Sequence, residues 1–141
     1  MIPRVSPSEA QRLMIDEGYA YVDVRTGVEF ASGHPAGSVN VPLLVDGPRG
    51  RVLNECFVGE ILARFPRDAK LVLGCRSGQR SLRAAELLES IGFEHLVDQR
   101  AGFDGVRDAF GGVVEPGWLG SGLAVETRMT SGGDPPQRSG G

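Results

Sequence analysis

Apolar residues recur along the first hundred positions in two rhythms, one helical and one of short continuous runs. Ala10, Leu13 and Met14 stand at helical spacing behind Ser6-Pro7-Ser8-Glu9, a capping box with proline at the first helical position. Gly18 supplies the stop, so a first helix is predicted up to it. Tyr19-Ala20-Tyr21-Val22-Asp23-Val24 reads as a strand, and Thr26 to Glu29 repeats the capping box for one or two helical turns. Gly33-His34-Pro35-Ala36-Gly37 reads as a loop, Ser38-Val39-Asn40-Val41 as a brief strand stopped by Pro42, and residues 43–51 as a surface loop punctuated by Asp46-Gly47-Pro48 and Gly50. Asn54 is expected to cap a helix with an apolar face of Phe57, Val58, Ile61, Leu62 and Phe65, broken by Pro66.

The second half is more sharply patterned. Lys70-Leu71-Val72-Leu73 is a buried-type strand that runs directly into Gly74-Cys75-Arg76-Ser77-Gly78-Gln79-Arg80, after which Ser81 to Ile91 forms a helix ended by Gly92. Ala84, Leu87, Leu88 and Ile91 make its buried stripe. His95-Leu96-Val97 is another strand, Gly102 to Phe110 a short last helix, and irregular chain is expected beyond Trp118. Strands alternating with helices predict an α/β domain, mainly parallel in its sheet, with helices on both faces. Ligands in such sheets sit at the carboxyl ends of the strands, which singles out the turn after Leu73.

Composition bounds this picture. One domain is the expectation for 141 residues, and 40% hydrophobic positions suffice for a core. Glycine is in excess, with 21 residues, and residues 127–141 are mostly Gly, Ser, Pro and Asp with almost nothing to bury, so a disordered tail is expected there. A net charge of −3 argues against nucleic acid as partner. No apolar run of membrane-spanning length or of signal-peptide form stands out, so no membrane partner and a cytoplasmic, reducing setting are expected. There, a cysteine that matters is more readily catalytic than disulfide-bonded.

Cys75 is that cysteine. It ends a buried strand and precedes a helix, where successive backbone N–H groups and the helix dipole favour an anion, and Arg76 and Arg80 add full charges. A sulfur merely filling the core has no need of such neighbours. Cys56, at the start of a helix, reads as incidental. His34, before Pro35, reads as a residue shaping its turn, and Asp23 as structural. Arg25, at the same sheet edge as the loop, is a candidate for meeting substrate. No Cys or His spacing supports a metal site, and no organic cofactor is called for.

Taken together, Tyr21-Val22-Asp23-Val24-Arg25, then Glu29-Phe30-Ala31-Ser32-Gly33-His34-Pro35-Ala36-Gly37-Ser38-Val39-Asn40-Val41-Pro42, then Cys75-Arg76-Ser77-Gly78-Gln79-Arg80-Ser81, and finally Ala84-Ala85-Glu86-Leu87-Leu88 with Gly92-Phe93, resemble the single-domain rhodanese (thiosulfate sulfurtransferase-like) family. The resemblance implies a five-stranded parallel sheet and a domain over residues 1–126. It implies a catalytic Cys75 that takes sulfane sulfur from thiosulfate or a persulfide donor, becomes a persulfide and passes the sulfur to a thiol or cyanide, or to a protein acceptor. Arg76, Ser77, Gly78, Gln79, Arg80 and Arg25 are the residues it implies for binding the small anionic donor. The related cysteine phosphatases place five residues between Cys and Arg; here Arg80 comes one position early. Ala101-Gly102-Phe103 fits the family's Gly-Gly-apolar segment, but Val106 stands where a tryptophan follows, and Trp118 comes about twelve residues late, so an insertion around 104–117 is inferred. That inserted segment motivates the alternative, a non-catalytic or sulfur-carrier module that docks with a partner.

Overall fold

The computed structural model describes residues 1–127, so the tail expected over 127–141 lies, apart from Thr127, outside the described residues. The elements in chain order are β1 (Arg4–Val5), α1 (Pro7–Glu17), β2 (Ala20–Asp23), α2 (Gly27–Ser32), β3 (His34–Pro35), β4 (Val39–Asn40), β5 (Leu44–Gly47), β6 (Gly50–Leu53), α3 (Phe57–Arg64), β7 (Lys70–Gly74), α4 (Gln79–Ser90), β8 (His95–Gln99), β9 (Val106–Arg107), β10 (Val113–Glu115) and β11 (Val125–Glu126). Five of them form a sheet in the order β1-β8-β7-β2-β4, and every pairing in it is parallel. The expected five-stranded parallel α/β fold is present.

Local chemistry explains the helix starts. Ser6 Oγ accepts the Glu9 N–H ahead of α1, and Gly18 closes that helix in the left-handed region. Thr26 and Glu29 form a fully reciprocal capping box on α2. Packing then uses both sheet faces. Val22, Leu71 and Leu73 join Phe57 and Ile61 of α3 and Ala84, Ala85 and Leu88 of α4 on one side. Tyr21, Val72 and Val97 join Ala10 and Leu13 of α1, together with Phe103 and Trp118, on the other. Alternate residues of one strand thus serve opposite layers, as a pleated sheet requires.

Four expectations are corrected. Residues 44–53 form the antiparallel hairpin β5–β6 rather than a surface loop, with Asp46 facing Arg51 in register. Asn54 does not cap α3: its Oδ1 takes the N–H of Cys56, which is itself the N-cap and contributes no side-chain bond. Residues 102–110 are turns followed by β9, not a helix, because Gly102 and Gly105 both adopt positive φ. Beyond Trp118 the chain is not wholly irregular, since β11 returns to pair with β3.

The sheet order fixes where a site can form. From β2 the chain moves outward to β4, whereas from β7 it moves the opposite way to β8, so the order reverses between β2 and β7. The carboxyl ends of these two neighbours, Asp23 and Gly74 in register, open onto the crevice that such a reversal creates.

Candidate active site

Cys75 follows β7 directly and is only 2% exposed. Its Sγ accepts the Gly78 N–H at 3.1 Å, and its thiol proton is directed at Ser81 Oγ at 3.4 Å. The turn can close this tightly because Gly78 takes φ +100° at the N-cap of α4, a conformation that costs other residues roughly 1–2 kcal/mol. A Cβ there would also lie 2.2 Å from the Arg100 carbonyl oxygen. The segment after β8 closes the other side: Phe103 N–H donates to Cys75 O at 2.8 Å, and Asp104 N–H to Arg76 O at 3.0 Å.

Behind the sulfur runs a polar chain, buried at Ser81 and Asp98 and reaching the surface at Arg4. Ser81 Oγ donates to Asp98 Oδ1, and Arg4 Nε donates to Asp98 Oδ2 at 2.7 Å while Arg4 Nη2 reaches the Gly78 carbonyl at 3.1 Å. The ring therefore returns to the residue whose N–H faces Cys75. Burial pushes the Asp98 carboxyl above the usual carboxylate range, and the bonds from Ser81 and Arg4 only partly offset that.

The arginines are committed in ways the sequence does not announce. Arg80 makes a two-point contact with Glu29, Nη1 to Oε1 at 2.9 Å and Nη2 to Oε2 at 3.1 Å. Burial alone would raise the Glu29 carboxyl, but Arg80 and the Thr26 backbone N–H and hydroxyl outweigh it and bring it down to about 2. Arg25 is 4% exposed; its guanidinium is bonded to both Asp23 oxygens and to the Gly33 carbonyl, and lies 4.5 Å over the Phe103 ring. This gives Arg25 first a structural part, anchoring the turn after β2. Arg76 points outward, 65% exposed, with Nε on Asp104 Oδ2 at 2.8 Å.

Two clefts flank the loop. One, of about 350 Å³, is lined by Arg76, Ser77, Gln79 and residues 104–107. The other, of about 370 Å³, lies among Arg25, Glu29, Ser32, Arg51, Phe103 and the same Arg76 and Asp104, which form their common wall. The expected site residues thus surround the two clefts or the turn between them: Arg76, Ser77, Gln79 and Arg25 line a cleft, whereas Cys75, Gly78 and Arg80 line neither. Asp23 holds Arg25, and the buried His34 bonds Phe30 O through Nδ1 at 2.7 Å, the structural parts expected of both. Cys56 is exposed at the N-cap of α3 and lines neither cleft. Among the described residues no three His, Cys, Asp or Glu side chains converge as a metal would need.

Sequence reasoning missed Asp98, Arg4, Asp104 and Arg107, and took Glu29 for a cap only. Asp98 had a signal: an acid directly after Leu96-Val97 in a buried strand needs a partner.

A model of the rhodanese-like domain matches residues 6–112. The chain belongs to that family. It is 36% identical over 126 residues to the senescence-associated protein DIN1 of Raphanus sativus, a match covering 89% of this chain and 62% of that protein. Thiosulfate sulfurtransferase 16, chloroplastic, of Arabidopsis thaliana is 36% identical over 123 residues, 86% of this chain and 91% of its own length. This rhodanese-like chain spans only 62% and 56% of DIN1 and of the Arabidopsis rhodanese-like domain-containing protein 15, chloroplastic. Among solved structures, Rv0390 from M. tuberculosis superposes with a TM-score of 0.74 at 29% identity, covering 89% of this chain and 97% of that one. Two relatives carry the name thiosulfate sulfurtransferase, which supports a sulfurtransferase family for the domain; others are named only as rhodanese-like.

Proposed function

We propose that this domain is a sulfurtransferase that carries sulfane sulfur on Cys75. The observation that carries the reading is the sulfur itself, set at the end of β7 against the Gly78 N–H at 3.1 Å, where α4 begins. A backbone donor held there answers negative charge on the sulfur without reorganising. The Cys75 thiolate attacks the outer sulfur of thiosulfate, or of a persulfide donor. A Cys75–sulfur bond forms and the donor's sulfur–sulfur bond breaks, with sulfite leaving thiosulfate, or a thiolate leaving a persulfide donor, with the electron pair. An acceptor thiolate or cyanide then attacks the outer sulfur of the Cys75 persulfide and Cys75 departs as thiolate, so charge and atoms balance in both steps.

Arg76, Ser77 and Gln79 stand at the rim of this turn and draw in an anionic donor, while Gly78 supplies the amide at its floor. The partners proposed are small anionic donors, thiol or cyanide acceptors and a protein acceptor, in a reducing cytoplasmic setting that keeps Cys75 a free thiol. Phosphate ester hydrolysis is disfavoured because Arg80, the residue nearest in place to a phosphatase arginine, already has two of its nitrogens on Glu29.

Intact-mass measurement after incubation with thiosulfate tests the reading. A gain of about 32 Da on the wild-type chain, absent in Cys75→Ala, is expected for persulfidation; no gain, or the same gain in the variant, overturns it. The sulfur-carrier alternative draws on the exposed Phe110 and Val114 of the inserted segment, and it would be favoured by ready persulfide formation with negligible turnover to cyanide.

A further inference from the structure

The cleft of about 350 Å³ has a wall the family motifs do not describe. After Phe103 the chain leaves the domain, runs out along β9, turns at 108–112 and comes back along β10. It rejoins where it left: Trp118 N–H donates to Gly102 O at 2.8 Å and Leu119 N–H to Phe103 O at 3.2 Å. This excursion brings Arg107 into the cleft opposite Arg76, Ser77 and Gln79.

Arg107 differs from its neighbours in charge balance. Of the other arginines lining either cleft, Arg25 is held by Asp23, Arg76 by Asp104, and Arg51 lies 3.8 Å from both Glu29 and Asp46. Among the described residues Arg107 has no carboxylate within ion-pair distance, and one of its nitrogens, Nη1, donates to the Gly111 carbonyl at 3.1 Å. That contact orients the guanidinium without neutralising it. With Arg76 and Asp104 the cleft holds two cations and one carboxylate, a net charge matched by one substrate carboxylate.

Size separates this place from the donor's. At transfer the moving sulfur lies one sulfur–sulfur bond, about 2 Å, from Sγ and the sulfonate of thiosulfate one further bond beyond, so that small anion reaches no further than the rim of the Cys75 turn. A cleft on the outer wall of that turn, large enough for part of an organic ligand, suits the remote end of a bigger molecule. We infer that the cleft between the Cys75 turn and the β9–β10 hairpin binds the carboxylate end of an organic thiol acceptor, with Arg107 as the anchoring cation. The inference rests on the sulfurtransferase reading. Its chemistry is the second step above: the acceptor thiolate forms the new bond to the outer sulfur, Cys75 leaves as thiolate, and Arg107 holds the acceptor's far end.

The test uses protein loaded with thiosulfate and compares its discharge by glutathione, which carries carboxylates, with discharge by neutral 2-mercaptoethanol. The ratio of the two second-order rate constants is expected to fall about fivefold in Arg107→Ala, to recover in part in Arg107→Lys, and to shrink with added salt. Arg83→Ala, an exposed charge on α4 outside the cleft, should leave the ratio as it is. An unchanged ratio in Arg107→Ala, or an equal fall in Arg83→Ala, overturns the inference while leaving the persulfide chemistry standing. If no persulfide forms, the sulfurtransferase reading fails by itself. Amide NMR shifts at 76–79 and 104–107 on adding S-methylglutathione to the resting protein then decide the subsite: shifts there that are lost in Arg107→Ala support it, and their absence overturns it.

Discussion

The turn that holds Cys75 and the excursion over 104–117 are neighbours built in opposite ways. The turn is fixed by partners distant in sequence: Arg4, Glu29, Asp98 and the backbone of 100–104 all close on seven residues. The excursion is tied to the rest of the chain at its two ends, where Asp104 takes Arg76 and Glu115 takes Arg100. Beyond them it is held by bonds within itself, such as Asp108 accepting the N–H groups of Phe110 and Gly112, and it leaves Phe110 98% exposed. A turn that must present one sulfur is locked before substrate arrives. A wall that only selects what approaches can hang from a fixed base and vary at its tip.

The largest contrast should come from two glycines that share a backbone conformation. Gly78 and Gly111 both have positive φ, but a Cβ at Gly78 strikes the Arg100 carbonyl, whereas one at Gly111 meets nothing within 4 Å. Gly78→Ala is therefore expected to cost at least about 3 kcal/mol, strain plus overpacking, and to abolish persulfide formation. Gly111→Ala should cost only the strain, about 1 kcal/mol, with sulfur loading intact. Urea unfolding and intact mass on both variants measure the gap; equal destabilisation would mean the two regions are not as differently packed as described.

Removing one charge from the turn should have a smaller, pH-dependent effect. Glu29→Gln loses the two-point contact with Arg80 and is expected to cost about 1–2 kcal/mol at neutral pH, part exposure taking the rest. Because the folded Glu29 carboxyl lies at about 2, below its unfolded value, its stabilisation is complete above the unfolded value and is lost as pH falls through about 2. The wild-type and Glu29→Gln unfolding curves should converge on acidification. Asp98 has the opposite sign: its raised carboxyl makes ionisation a cost in the folded state, so its contribution to stability declines as pH rises through its folded value.

The same contrast governs how far the sequence could be read. The Cys75 turn is legible because its requirements are local: a strand end, a small residue at the N-cap and a helix start fall within a dozen consecutive positions. The closure of the turn is not, since Arg4 and Asp98 are 94 positions apart and meet only once β1 pairs with β8. A two-residue strand has no periodicity to detect. The hairpin β5–β6 hid for a related reason, because its Asp46, Gly47, Pro48 and Gly50 are turn residues whichever structure flanks them. Residues 102–110 misled in the other direction: Phe103, Val106 and Phe110 sit at helical spacing, yet only Phe103 is buried.

Phe110 gives the smallest effect and the sharpest use of the comparison. Phe110→Ser should change unfolding free energy by no more than about 0.5 kcal/mol, since the ring at the tip of the excursion covers little. Sulfur loading of Cys75 from thiosulfate should be unaltered, because no contact of the turn passes through residue 110. A loss of stability beyond that range would show that the tip is packed in solution against something the isolated fold leaves open. A slowing confined to a protein acceptor, with glutathione discharge maintained, would instead place the ring on the path of a docking partner and separate that surface from the Arg107 subsite beneath it.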